Sequence, residues 1–356
     1  MTDVHRWIVP GRVNLIGEHL DYNGGPVLPM AIDRGVVVKA RRRDDMAVHL
    51  WSDAGKAEFA TTVAPGDVSG WAALSAGVVW ALGQAGHTVP GADLVIESTL
   101  PVGAGLASSA AVACGVALAL NDLGAFELDR AAIAAIARRS ENDYLGVPSG
   151  VMDQLAVLHD AASLIDTRTG EATAVAINWG DAGLSLVVIN TGVQHAIGGG
   201  EYTDRHDECR RAAEALGLEH LADVALDDLY RLDDPVLQSR ARHVLTETAR
   251  VRGAVRALAA GGWTQFGTML TASHASLRDD FDVSCTELDT TVEAALEAGA
   301  LGARLTGFGF GGSVIALVPT DRLLGLRSAV EAAFATHDWK APTLFTVRPA
   351  RGADLA

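Results

Sequence analysis

From Ser98 to Asn121 the chain carries no charged side chain. A run of that length has two ways to avoid water: it spans a membrane or it lies inside a folded core. A spanning helix needs about 20 strongly apolar residues. Here the first half holds Pro101, Gly103, Gly105, Ser108 and Ser109, and the remainder is mostly Ala and Val. The run therefore reads as a glycine loop feeding a buried helix, so the fold must be large enough to enclose one. With 356 residues the chain is long enough for two domains of ordinary size. Its 49% apolar and 20% charged residues exclude global disorder.

Charge narrows the partners. A net charge of −16 repels phosphate backbones, so nucleic acid and anionic membranes are not expected to bind. A small anion remains open to it, because a few local donors can hold a phosphate against the global field. No obligatory protein partner is implied. Cys114, Cys209 and Cys285 are odd in number, far apart and outside any CxxC pair. That argues against a disulfide framework or a zinc site and suits a reducing compartment. The opening MTDVHRWIVPGR has no apolar core long enough for a signal peptide, and a cytoplasmic protein is expected.

The elements mix rather than alternate regularly. GVVVKARRR (35–43), AVHLW (47–51) and ADLVIESTL (92–100) read as strands, as do SLVVIN (185–190) and PTLFTVRPARG (342–352). DRAAIAAIARRSENDYLG (129–146) is helical, and further helices are predicted through 203–216 and 239–260. Without a βαβ cadence the fold class is α+β, with two domains, 1–175 and 176–356, and the active site in the cleft between them.

Four segments carry chemistry. PVGAGLASSAAVACGVALAL (101–120) follows a strand; its glycines allow backbone N–H groups to approach an anion, and Ser108-Ser109 stands where a helix begins. It offers a phosphate cradle but has no GKS or GKT, so it is not a Walker loop. A capped glycine turn is the alternative. A second glycine loop, TGFGFGGS (306–313), reads as a tight turn packing against that cradle. In SENDYLGVPSGVMDQ (140–154), Glu141 and Asp153 are 12 residues apart, too far for one helix face. If the loop folds back, one carboxylate for a magnesium ion and one for a hydroxyl proton suit phosphoryl transfer; two solvated acids are the alternative. Lastly, PGRVNLIGEHLDYNGGPVLPMAID gathers Arg12, Glu18, His19 and Asp21. A metal site, a sugar site and a polar turn all fit it.

Taken together, these blocks resemble the galactokinases. The opening stretch is similar to their N-terminal signature. PVGAGLASSAA resembles the phosphate loop shared by galactokinase, homoserine kinase, mevalonate kinase and phosphomevalonate kinase. SENDYLGVPSGVMDQ, SHASLRDDFDVSCTELD (273–289) and LTGFGFGGS match further blocks, in family order, over nearly the whole chain. The sequence departs from the family at Ala107, where serine is usual, at Ser149, where cysteine is common, and at Phe308, where a small residue is usual. Trp71 also lacks the Asn-Tyr that usually follows it.

The resemblance implies ATP-dependent phosphorylation of α-D-galactose at the C1 hydroxyl, with ATP and Mg²⁺ required. It assigns Asp153 and Arg12 to catalysis, and Glu18, His19, Asp21, Gly150, Asp153 and Tyr202 to the sugar. Gly103, Ala104, Gly105, Leu106, Ala107, Ser108 and Ser109 fall on the triphosphate loop, Trp71 beside the adenine, and Ser109 and Glu141 on the metal. Carboxylates accept from pairs of sugar hydroxyls, and GEHLD lacks the HExxH spacing of zinc sites. Glu18, His19 and Asp21 are thus better read as sugar ligands than as metal ligands. Related activities under the same resemblance are a kinase for N-acetylgalactosamine or L-arabinose, and a non-catalytic galactose sensor.

Overall fold

The computed structural model describes residues 4–101, 103–193 and 200–355. Part of the HAIGGGEYTDR stretch falls outside these residues, but Tyr202 lies within them.

Two sheets organise the molecule. The first collects β1 (His5–Ile16), β2 (Pro26–Arg42), β3 (Ala47–Ser52), β4 (Gly55–Ala60), β5 (Ala92–Ser98), β6 (Ala162–Asp166) and β7 (Ala172–Val175). The second holds β8 (Leu184–Asn190), β9 (Gly302–Thr306), β10 (Ser313–Pro319) and β11 (Thr343–Val347). The last strand, β12 (Asp354–Leu355), crosses back to pair with β1. The first sheet runs β12-β1-β2-β5-β3-β4, with β6 on β2 and β7 on β6; the second runs β11-β8-β10-β9. Among the described strands only β3 and β5 pair in parallel. Mostly antiparallel sheets need no regular helical crossovers, and the α+β class expected from the sequence is what the chain adopts. The anticipated division at residue 175 falls between β7 and β8, which belong to different sheets. Buried apolar residues nevertheless form one continuous cluster through both.

The β1–β2 hairpin is irregular where its side chains matter. Pro10 faces Gly35 while Arg12 faces Ala31, so β2 carries two extra residues there. Asn14 then faces Pro29 while Ile16 faces Leu28, so β1 carries one extra. Bulges of this kind re-aim side chains, and Arg12 and Asn14 both lie between them.

Helices cover the sheets. α1 (Ala73–Gln84) and α3 (Arg130–Arg139) pack on α2 (Ser108–Gly124), which with α4 (Met152–Leu158) lies directly on the first sheet. The rest are α5 (Glu201–Leu216), α6 (Pro235–Ala259), α7 (Trp263–Asp279), α8 (Thr286–Glu297) and α9 (Leu323–Thr336). The uncharged run becomes a loop and then α2, whose Ala110, Ala113, Cys114, Ala117 and Leu120 are fully buried. No helix among the described residues is long and apolar enough to cross a membrane. The helix expected over 129–146 is regular only to Arg139. It then widens into a π-helical turn, Ser140–Tyr144, which carries Glu141; such turns recur at functional sites. Of the closing strand expected over 342–352, Thr343–Val347 form β11 and Pro349 makes an isolated bridge to Ile32, while β12 follows beyond it.

Candidate active site

Six segments meet around one cavity of about 180 Å³. They are the end of β1 with its following turn, the first turn of α2, the Ser140–Tyr144 turn, the loop into α4, the start of α5, and the glycine loop between β9 and β10. Arg12, Glu18, His19, Asp21, Ser109, Glu141, Gly150, Asp153 and Tyr202 all line this cavity. The loop after Glu141 does fold back, and the two acids 12 residues apart face the same space.

Arg12 is almost fully buried, at 4% exposure. It grips Asp153 in a two-pronged pair, with Nε donating to Oδ1 at 2.8 Å and Nη2 to Oδ2 at 2.8 Å. Its Nη1 donates to the Gly105 carbonyl at 2.5 Å. The planar fork fixes the carboxylate's orientation as well as its charge. One arginine thereby ties the acid at the start of α4 to the glycine loop before α2. Among the described residues, three of the five guanidinium N–H groups are used in this way.

Asp21 approaches the same acid from the turn after β1. Burial, and the nearby charge of Asp153, push its carboxyl up to about 7. Gly150 makes this approach available: a Cβ there would sit 1.8 Å from Asp21 Oδ2. The other two residues of the turn are already engaged. Glu18 accepts from Asn14 Nδ2 at 2.8 Å, Gly307 N at 2.9 Å and Thr306 Oγ1 at 3.3 Å, and it pairs with Arg304. Burial raises its pKa against the opposing pull of Arg304. His19 Nε2 donates to the Phe308 carbonyl at 3.1 Å, which leaves Nδ1 to accept from the Tyr22 hydroxyl at 2.9 Å. Desolvation holds this imidazole well below its usual range, hence neutral. With both nitrogens occupied, His19 offers a cavity wall rather than a free donor.

The glycine loop has three left-handed residues: Gly103 (φ 71°), Gly105 (φ 68°) and Ala107 (φ 57°). Ala107 caps α2 without a side-chain acceptor, so the first N–H groups of the helix are open to an anion. The second glycine loop packs on this one as the sequence suggested. Ser313 Oγ donates to the Ala104 carbonyl at 2.7 Å, and a Cβ on Gly307 would lie 3.4 Å from the Gly105 carbonyl oxygen.

Glu141 accepts from Gln154 Nε2 at 2.7 Å and Ser149 Oγ at 3.1 Å, both on Oε2, and Ser109 lines the cavity with it. Burial raises its pKa. The other oxygen keeps lone pairs for a cation. No group of three or more His, Cys, Asp or Glu among the described residues is arranged to hold a metal alone. A buried carboxylate beside a hydroxyl is an all-oxygen set that fits Mg²⁺ when phosphates supply further ligands. Trp71 is not brought to the cavity. It stands 37% exposed in the turn before α1.

Sequence reasoning missed Tyr22, Asn14, Gln154, Thr306 and Arg304. Arg304 carried one signal, as a lone cation in the apolar GARLTG before the glycine loop.

Residues 2–42 match the galactokinase galactose-binding signature. Residues 73–161 match the GHMP kinases N terminal domain, and 254–336 match GHMP kinases C terminal. The chain is similar to the galactokinase of Streptomyces coelicolor, at 44% identity over 98% of this chain and 93% of that one. It is likewise similar to the galactokinase of Mycobacterium tuberculosis, at 43% identity over 97% of each. The crystal structure of Lactococcus lactis galactokinase complexed with galactose superposes with a TM-score of 0.92. Sequence identity there is 34%, with 99% of this chain and 95% of that one covered.

Proposed function

The chain belongs to the galactokinase family of GHMP kinases, and from that membership we propose that it transfers the γ-phosphoryl group of ATP to the C1 hydroxyl of α-D-galactose, giving galactose 1-phosphate and ADP. The observation that carries the reading is the Arg12–Asp153 pair, set between a glycine loop on one side and Asp21 on the other.

Asp153 receives the C1 hydroxyl. Each of its oxygens accepts one bond from Arg12 and keeps a lone pair for the sugar, so the hydroxyl is oriented along the line of attack. Arg12 turns its remaining N–H groups to the charge on the transferring phosphoryl. The open end of α2 and the backbone from Gly103 to Ser109 cradle the triphosphate, and the family resemblance alone assigns Trp71 to the adenine. Ser109 and Glu141 are the residues to hold Mg²⁺, which when bound neutralises charge between the phosphates. Asp21, Tyr202 and the backbone at Gly150 read the sugar hydroxyls; Glu18 and His19 brace that wall. The two sequence halves, divided near residue 175, flank the cleft. Cytoplasmic action follows from the reading.

ADP release measured across galactose, glucose, N-acetylgalactosamine and L-arabinose tests this. Galactose should give the highest kcat/KM, and Asp153→Asn should nearly abolish turnover while retaining galactose binding. A variant within about tenfold of wild type, ~1.4 kcal/mol, would remove Asp153 from its role. A higher kcat/KM with another of these sugars would overturn the substrate.

A further inference from the structure

Three glutamates are buried among the described residues, and two of them have a cation: Glu18 pairs with Arg304 and Glu247 with Arg250. Glu141 makes no ion pair among these residues; its neighbours there supply hydrogen bonds only. Buried carboxylates are paired or coordinate metals, and this one lines the cavity together with Ser109 and Asp153. Gln154 Nε2 donates to its Oε2 at 2.7 Å. Ser149 Oγ lies 3.1 Å from the same oxygen and 2.8 Å from Asn142 Oδ1. Its single proton is therefore shared between two acceptors, and the amide of Gln154 is the donor that Glu141 has to itself. Gln154 is fixed in turn. It is fully buried in the first turn of α4, and its carbonyl faces Cys114 Sγ of α2 at 3.9 Å. The reverse orientation of its amide would set oxygen against the carboxylate, so the nitrogen must face Glu141.

We propose that Gln154 is a positioning residue for the metal: its amide holds Oε2 of Glu141, so that the other carboxylate oxygen stays available to Mg²⁺. This rests on the reading of Glu141 as the magnesium ligand. The last torsion of a glutamate is soft, and a carboxylate without a fixed donor would have to be ordered each time the metal binds. Asp153 and Gln154 are consecutive. One turn of α4 thus serves both acids, through Asp153 itself, held by Arg12, and through Gln154, which holds Glu141.

The test is the Kd of an ATP analogue with an imido bridge between its β and γ phosphates, with and without Mg²⁺, by calorimetry. The proteins are wild type, Gln154→Met, Gln154→Asn and Glu141→Gln. The readout is the factor by which Mg²⁺ tightens binding within each protein, so a general loss of nucleotide affinity cancels. Methionine is unbranched and fills the space without a donor; asparagine keeps the amide but is one methylene too short to reach. Partners behind a ligating carboxylate are worth about 10–100-fold in metal affinity. Gln154→Met and Gln154→Asn should each reduce the factor by about tenfold and leave the Kd for galactose unchanged. Glu141→Gln should reduce the factor at least as far. An unchanged factor in Gln154→Met beside a reduced one in Glu141→Gln overturns the proposal and leaves the metal ligand standing. Should the methionine protein fail to fold, an unchanged factor in Gln154→Asn overturns it alone. A factor unmoved in Glu141→Gln, or absent in wild type, overturns the reading of Glu141 as the magnesium ligand and the proposal with it.

Discussion

Asp21 and Gly150 show function set against stability within two residues. The Asp21 carboxyl fills space that any side chain at position 150 would take, and in doing so comes close to Asp153. The folded protein therefore binds a proton at Asp21 up to about pH 7, against 3.8 for an unperturbed aspartate. The folded pKa is raised, so this group's contribution is most favourable below pH 3.8 and is lost as pH rises towards 7. Asp21→Asn removes the charge while keeping the shape. Its melting temperature should exceed that of wild type at pH 8, and the gain should shrink as pH falls through 7 and vanish only below 3.8, where Asp21 is protonated in both folded and unfolded chains. Its galactose kcat/KM at pH 8 should fall, because a carboxylate acceptor is lost. Equal melting temperatures at pH 8 would show that the charge carries no folding cost. Much of this site was legible in the sequence, the acids, Arg12 and Ser109 from residue types and Tyr202 from the family resemblance, and all reached one cavity. Occupancy was not. That His19 and Glu18 are already satisfied depends on Phe308 and Arg304, 289 and 286 residues away, and no local pattern encodes such pairs.

At the scale of elements, the glycine loop works only because α2 is seated correctly behind it. Gly115 sets that seat. A Cβ there would come within 2.7 Å of Val38 Cγ2 on β2, and valine is stiff at χ1. Replacing a mid-helix glycine by alanine gains about 0.5–1 kcal/mol of helix stability. Overpacking a buried contact costs typically 1–3 kcal/mol, so the clash wins. Gly115→Ala should lower the melting temperature and tilt α2 off the sheet. Because the N-terminus of α2 is the proposed phosphate cradle, KM for ATP should rise more than KM for galactose. A melting temperature at or above wild type would show that β2 yields freely. The buried helix was readable from its missing charges, and the strands from β-branched alternation. The two bulges of the β1–β2 hairpin, the π-helical turn at Glu141 and the return of β12 were not. Each arises where tertiary packing overrides local preference.

The whole molecule is joined at Arg304 and Glu18. Arg304 comes from β9 of the second sheet and is fully buried; Glu18 follows β1 of the first. The guanidinium also donates to the carbonyls of Asn14 at 3.3 Å and Leu15 at 3.0 Å, so a single side chain holds the bulged end of β1 against the second sheet. Next to it, Glu247 on α6 accepts from Gly17 N at 2.9 Å and Ser273 Oγ at 2.6 Å, and His243 Nε2 contacts the Glu18 carbonyl at 3.1 Å. Burying two charges gains little net stability over an apolar pair, but removing one partner strands the other and costs about 3–5 kcal/mol. Arg304→Met should therefore lower the melting temperature sharply. Burial already raises the Glu18 pKa while Arg304 opposes it, so without Arg304 the folded pKa climbs further. A raised carboxyl pKa means stability lost as pH rises, and the deficit of Arg304→Met should be larger at pH 8 than at pH 5. Adding Glu18→Gln to Arg304→Met removes the stranded charge, while an amide oxygen still accepts from Asn14 or Gly307. The double variant should recover part of the loss at pH 8 and show little of its pH dependence. A double variant as unstable as the single one at pH 8 would mean that Arg304 acts through the Asn14 and Leu15 carbonyls, and that the sheets are joined by backbone contacts instead of by the ion pair.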